Sequence, residues 1–491
     1  MNPPAAPDIL VLTAVALPFF GAALIAVLHS RPNLRELATL TTAVALFLVV
    51  FHLSRQVAAG ARPGFTLGEV APSLSFGFAL EPLGALFAFV ASGLWILNSI
   101  YSIGYMRAHE EPRQTTFYVC FAIALGSTMG VAFAKNLFTL FVFYEALTLS
   151  TYPLVTHKAD EQALRAGRIY LALLLGTSML LFLPAIIATW AVAGTLDFTT
   201  GGVLGNRIGS LAIGLLLALY VFGIGKAAIM PVHSWLPAAM VAPTPVSALL
   251  HAVAVVKAGV FSIVKIIIYI FGIDVLAASG AAGWLIYVAC ATLVLASLIA
   301  ISRDDLKARL AYSTVGQLAY VVLGAAIATP TSIVGSALQI ATHAAAKITL
   351  FFCAGAIYIT HNKTSVRQLD GIGHKMPITM TAFLIASLSI IGLPPFGGLW
   401  SKWTLATGAI DAGNVFATAV MMLSSILSIG YLFPIVGRAF FLTPEGAQTQ
   451  KIDEAPVSCL LALCSTALLC LLLFFQAGSI AAFLQKLFSV Q

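Results

Sequence analysis

Long apolar runs alternate with short polar breaks along nearly the whole chain. Runs bounded by charge, proline or glycine clusters lie near 8–28, 35–54, 78–102, 116–133, 136–157, 168–194, 209–230, 245–271, 278–300, 308–328, 333–358, 377–407, 415–437 and 457–484. Most are about twenty residues long, the length with which an α-helix crosses the roughly 30 Å hydrocarbon core of a bilayer. In lipid a backbone must satisfy its own hydrogen bonds, which favours helices. The pattern therefore predicts an all-α polytopic membrane protein of about 14 transmembrane helices.

Composition sharpens this reading. Of 491 residues, 60% are hydrophobic and only 9% are charged, with a mean hydropathy of +1.00. A soluble domain carries roughly 25% charged residues, so a soluble enzyme is excluded. Disorder is excluded too, since it needs low hydrophobicity and high net charge. The six cysteines, Cys120, Cys290, Cys353, Cys459, Cys464 and Cys470, lie in or beside apolar runs with no C-x-x-C pair. That spacing suits packed small hydrophobes, not an iron–sulfur or zinc site. No cofactor, metal ligand set or catalytic residue is expected. The segment MNPPAAPDIL lacks the basic stretch of a cleavable signal peptide, so the first run is expected to remain as a span.

The net charge is +7. In a soluble protein this would suggest nucleic acid. Here the connections are short, and the positive-inside rule applies. One side collects 15 basic residues, among them Arg31, Arg107, Lys158, Lys307 and Lys363. The other holds 5: Arg55, Arg62, Lys135, Arg207 and Lys486. The expected location is a bacterial inner membrane with both termini on the periplasmic side, and no nucleic-acid partner is needed.

The five remaining basic residues are all lysines inside apolar runs: Lys226, Lys257, Lys265, Lys347 and Lys402. Glu145, in FVFYEALTLS, is the clearest acidic residue at membrane depth, and His251 and His343 also fall inside runs. A charge at the bilayer centre costs about 2.5–3.5 kcal/mol on insertion scales, so six such groups cost on the order of 15–20 kcal/mol. Pairing, water-filled cavities or ion transport are the usual reasons for keeping them. Lys265 lies six residues before Gly272, and it either snorkels to the interface or joins the functional set. Lys347 is four residues after His343, which puts both on one helix face. His251 and Lys257 are six apart and face differently. Each histidine is either a hydrogen-bonded packing residue or a proton carrier. Glu145 needs a cation, and Lys226 is the expected partner. Lysine suits proton handling because burial and a nearby carboxylate act on its proton in opposite directions, whereas arginine stays charged.

Two runs are interrupted beside their lysines. In GKAAIMPVHSWLPAAMVAPTPVSALLHAVAVVKAGVF, Pro231, Pro237, Pro243 and Pro245 follow Lys226. In SIIGLPPFGGLWSKW, Pro394, Pro395, Gly397 and Gly398 precede Lys402. Proline removes a backbone donor that lipid cannot replace, so such segments sit in protein or line a cavity. Simple kinks are the plain alternative. The two breaks are about five spans apart, and an odd number of spans inverts the orientation, as in inverted repeats with mid-membrane ion sites.

FYEAL, HSWLPAAMVAPTPVSALLHAVAVVKAGVF, DDLKARLAYSTVGQ, HAAAKITLFF and GLPPFGGLWSKW closely resemble the antiporter-like subunits of respiratory complex I, Mrp cation/proton antiporters and membrane-bound hydrogenases. The resemblance covers about residues 80–440 and is strongest to the D-type subunits of Mrp antiporters. It implies two inverted five-helix repeats, each with one broken helix, over 111–272 and 273–441. Residues 1–110 would supply helices 1–3, and 442–491 a loop and helix 14. It carries the family's fifth-helix glutamate onto Glu145 and the lysines of helices seven and eight onto Lys226 and Lys257. His343 and Lys347 match the eleventh-helix pair, and Lys402 the group on the broken twelfth helix. Arg168 stands where the family often has lysine, which puts a relay role there in doubt and leaves an electrostatic anchor. His233, in HSWLP, is a further supporting candidate.

The expected function is proton translocation within a hetero-oligomeric membrane complex, in exchange for Na⁺ or K⁺ in an Mrp-type antiporter. A proton would reach Lys226 and Lys257 and pass by buried water and His251 or His343 toward Lys347 and Lys402. Alternatives are a pumping component of complex I or of a membrane-bound hydrogenase, a component of an inorganic-carbon uptake complex, and a non-transporting scaffold. In the redox complexes electron transfer would lie in other subunits.

Overall fold

The computed structural model describes residues 8–72, 74–205, 207–442 and 451–488. Residues 1–7 and 489–491, on which the placement of both termini rests, lie outside them, as does most of the loop expected before the last helix. The chain begins with α1 (Ile9–Val27) and α2 (Pro32–Ala58), then β1 (Gly64–Ala71) and β2 (Leu74–Ala79). Next come α3 (Pro82–Ala108), α4 (Gln114–Phe133), α5 (Leu137–Val155), α6 (Glu161–Ala193) and α7 (Ser210–Gly223). The longer helices after these are α8 (Thr244–Phe271), α9 (Gly283–Ser302), α10 (Leu306–Ile327), α11 (Pro330–His361), α12 (Pro377–Ile391), α13 (Gly398–Asp411), α14 (Val415–Phe441) and α15 (Val457–Gln485). Among the described residues, 12 helices are long and apolar enough to cross a membrane. The other two crossing segments expected from sequence are interrupted. One is α7 and the irregular stretch after it, and the other is the α12–α13 pair.

Helix starts follow local chemistry. Glu81, Asn136, Asp160, Asp305, Thr329 and Asn414 each cap a helix by accepting a bond from a first-turn N–H. Pro82 and Pro330 take first-turn positions, where the missing N–H costs nothing. Gly392, at φ +94°, ends α12 in a conformation that disfavours a side chain.

The β1–β2 hairpin was not expected. It is antiparallel, with Gly64 opposite Ala79 and Phe65 opposite Phe78. It fills most of the connection between the second and third expected spans and reaches only the first two residues of the run near 78–102. Phe78 and Gly77 tie it to the α4–α5 connection, where Phe78 bridges Ala134 and the Lys135 N–H donates to the Gly77 carbonyl.

The core lies on α8 and α11, whose most apolar windows are wholly buried, with α10 at 94%. The rim is formed by α1, α2, α6, α14 and α15, with 28–39% buried. Gly259 of α8 lets this core close on the broken segment. A Cβ there would collide with the backbone of Lys226 and Ala227.

Candidate functional site

The first interruption builds a seat for Lys226. α7 stops at Gly223, a 3₁₀ turn spans Gly225–Ala227, and Trp235 Nε1 holds the turn by donating to the Gly225 carbonyl at 2.9 Å. Lys226 is fully buried. Its Nζ donates to the Tyr144 carbonyl at 2.9 Å and to Thr148 Oγ1 at 2.5 Å, and lies 3.2 Å from the centroid of the Tyr144 ring. Its backbone N–H donates to the Tyr144 hydroxyl at 3.2 Å. Thr151, one turn on from Thr148, shares a 2.6 Å bond with Tyr170.

The expected Glu145–Lys226 pair is not a direct contact. Among the described residues Glu145 forms no ion pair within 4.0 Å, and neither of its buried carboxylate oxygens has a hydrogen-bond partner in the chain. Successive residues on a helix point about 100° apart. Tyr144 faces the broken segment and makes the direct contacts with Lys226, while Glu145, the next residue, acts on that lysine only through space.

On α8, His251 sits in a π turn over Leu249–Val253, packs its ring 4.8 Å from that of Phe351, and has no partner for either ring nitrogen. One and a half turns later, Lys257 Nζ lies 2.5 Å from His343 Nδ1. The shared face of His343 and Lys347 is as expected. Lys347 Nζ donates to Ser313 Oγ at 2.7 Å, and Ser313 donates to the Tyr431 hydroxyl at 3.0 Å. A second polar chain runs beside it. Gln339 donates to Gln317 at 2.8 Å, Ser401 to Gln339 at 2.6 Å and Thr342 to Ser401 at 3.1 Å.

The second interruption seats Lys402, which is partly buried. Its Nζ donates to Ser425 Oγ at 2.9 Å and to the Ile391 carbonyl at 3.1 Å, and lies 4.8 Å from the centroid of the Tyr320 ring. The Tyr320 hydroxyl in turn lies 3.3 Å from Ser425 Oγ.

Lys265 joins neither the interface nor this set. It is 1% exposed, pairs with Glu81 at 3.4 Å and donates to the Ala134 carbonyl at 3.0 Å. It reaches the end of its helix as a snorkelling lysine would, but meets the cap of α3 there instead of water. His233 is half-buried, with its ring 6.1 Å from that of Tyr312, and Arg168 is exposed on α6. Sequence reasoning missed the polar partners Tyr144, Thr148, Ser313, Gln317, Gln339, Tyr320, Ser425 and Tyr431. Their one signal was position: Tyr144 adjoins Glu145, and Ser313, Gln317 and Tyr320 recur at helical spacing in AYSTVGQLAY.

A cavity of about 290 Å³ opens where the α5–α6 connection, the segment before α8 and the start of α10 meet. Lys158, Asp160, Asp305, Lys307 and Lys363 line it. Lys307 donates to the Ala242 carbonyl at 2.5 Å. Nearby, in the loop after α3, Glu111 lies 3.6 Å from His157 and 3.4 Å from His109. Its burial acts to raise the carboxyl pKa, but His157, His109 and Lys158 together outweigh burial and hold it below the usual value.

Residues 134–428 match the family profile described as NADH:quinone oxidoreductase/Mrp antiporter, TM. Residues 68–118 match the N-terminus of NADH-ubiquinone oxidoreductase (complex I) chain 5. NADH-quinone oxidoreductase subunit N of Desulforudis audaxviator is 33% identical over 77% of this chain and 76% of its own. A protein of Rhizobium meliloti described as a probable K(+)/H(+) antiporter component of A/B type is 31% identical over 90% of this chain. The alignment covers only 44% of that longer relative. A chain of the Mrp complex from Dietzia sp. superposes with a TM-score of 0.86 at 22% identity, over 97% of this chain and 96% of the other, a likeness of fold.

Proposed function

Because this chain belongs to the NADH:quinone oxidoreductase/Mrp antiporter membrane family, we propose that it relays protons through the bilayer as one member of a multisubunit cation/proton antiporter of the Mrp type, in the D position, exchanging Na⁺ or K⁺ for H⁺. The observation that carries this reading is the Lys257–His343 contact, which joins a lysine beside the first broken segment to the Lys347 side of the bundle. A proton would occupy Lys226 and Lys257, cross to His343, and continue by Lys347 toward Lys402. His251 stands beside the route with both ring nitrogens free to exchange protons. The charged cavity at Lys158, Lys307 and Lys363 would be the mouth on the basic side. Glu145 would present its carboxylate to a neighbouring protein of the complex, coupling that neighbour to the lysine held by Tyr144.

Residues 111–272 and 273–441 are read as inverted five-helix repeats flanked by 1–110 and 442–491. The similar interruptions at Lys226 and Lys402 support that reading. The location proposed is a bacterial inner membrane with both termini on the periplasmic side.

The test is ion flux in vesicles holding the native complex. Glu145→Ala should abolish cation-driven proton flux while the complex assembles in normal amount. Wild-type flux in the assembled variant would defeat the proposal.

A second reading has a specific observation in its favour, the 33% identity to an NADH-quinone oxidoreductase component. In it the same lysine axis would be driven by redox subunits. Purifying the native complex separates the two. Small membrane proteins alone as partners support the antiporter, and flavin and iron–sulfur subunits support the oxidoreductase.

A further inference from the structure

The two lysines at the interruptions share a feature that the relay itself does not require. Each ammonium stands over the face of a tyrosine: Lys226 at 3.2 Å from the Tyr144 centroid and Lys402 at 4.8 Å from that of Tyr320. Each pair is 82 residues apart in the chain. Tyr144 lies on α5 and Tyr320 on α10, so the same separation recurs in both halves. Neither lysine has a carboxylate within 4.0 Å among the described residues.

A buried ammonium with no carboxylate in contact needs a nearer source of negative potential. An aromatic face supplies it through its quadrupole, and the attraction is largest where water is absent. A carboxylate would bind the proton as well as the lysine. A ring cannot take the proton, so it holds the charge without competing for it. The remaining contacts, the Tyr144 carbonyl with Thr148 and the Ile391 carbonyl with Ser425, are neutral acceptors that complete each seat.

We propose that Tyr144 and Tyr320 are paired positioning residues, each seating the charged form of the broken-segment lysine on its aromatic face. This rests on the proton-relay reading. The two seats differ. The first is closer and encloses a fully buried lysine, and the second is looser and partly open. The ring therefore contributes more at Lys226 than at Lys402.

The experiment replaces each tyrosine, in the native complex, by phenylalanine and then by phenylalanines bearing one, two and three ring fluorines. Fluorine withdraws electron density from the face with little change of size. Proton flux per assembled complex should fall stepwise with fluorine number, by roughly tenfold in total at position 144 and by less at position 320. Phenylalanine itself should keep most of the flux, since it retains the face. Flux independent of fluorine number, or a loss already complete in Tyr144→Phe, would overturn the assignment. Lys226→Ala and Lys402→Ala separate the two levels. If both transport normally the relay reading has failed. If they do not, and the fluorine series is flat, only the aromatic seat has failed.

Discussion

The Nζ of Lys257 and the Nδ1 of His343 are 2.5 Å apart, and both side chains are buried. One of the two nitrogens donates and the other accepts, so a proton is held between them. Two positive charges at that separation would repel by about 7 kcal/mol even at an effective dielectric near 20. The pair therefore carries at most one charge at a time, which suits the proposed transfer between α8 and α11.

If the pair acts as a unit, its members are not additive. Lys257→Ala and His343→Ala should each lower proton flux by at least tenfold, and the double variant should fall no further than the worse single one. Measured fluxes that multiply would mean two independent roles.

Lys226→Arg separates charge from proton exchange. Arginine preserves the charge over Tyr144 but does not deprotonate in a protein. The variant should assemble and lose flux. Normal flux in vesicles would make Lys226 a fixed electrostatic post.

Gly259→Ala tests the closure of α8 on the Lys226 turn. The added methyl meets backbone, which cannot swing aside as a flexible side chain can. A loss of about 1–3 kcal/mol is expected, read as a lower unfolding temperature in detergent. Gly283→Ala, where a Cβ meets nothing within 4 Å, should leave that temperature nearly unchanged.

Glu111 makes a pH-dependent contribution outside the membrane. Its two histidine neighbours and Lys158 hold its carboxyl below the ordinary glutamate value, so its stabilising effect is present at neutral pH. The effect is lost as the pH falls from the ordinary carboxylate range through the depressed folded value. Glu111→Gln should therefore be less stable than wild type at pH 7, with the difference shrinking in acid. A difference in detergent melts that stays constant from neutral pH into acid would remove the carboxylate from the account.

The helices were legible because lipid imposes a simple requirement on the chain. The apolar runs predicted at 333–358 and 457–484 appear as Pro330–His361 and Val457–Gln485. The lysines were legible for the same reason, since each violates that requirement. The hairpin at Gly64–Ala79 was missed because it lies almost wholly between the runs at 35–54 and 78–102, where hydropathy reads only a connection. Glu81 was missed as the partner of Lys265 because their ion pair closes across 184 residues of chain. That Tyr144 and not Glu145 would touch Lys226 was not legible for a reason of scale. Sequence places a residue on a helix to within a turn, whereas the choice between Tyr144 and Glu145 as the neighbour of Lys226 depends on one step of about 100°.

α11 is 32 residues long, about 48 Å of helix against a hydrocarbon core of roughly 30 Å. On a lipid-facing helix such an excess forces tilt or local thickening of the bilayer. Its apolar window is wholly buried in protein, so it has no such match to make. A change of lipid chain length acts first on rim helices such as α6 and α15. The depth of His343 and Lys347 is fixed by their neighbours in the bundle, which makes the vertical register of the lysine axis a property of the protein and not of the membrane around it.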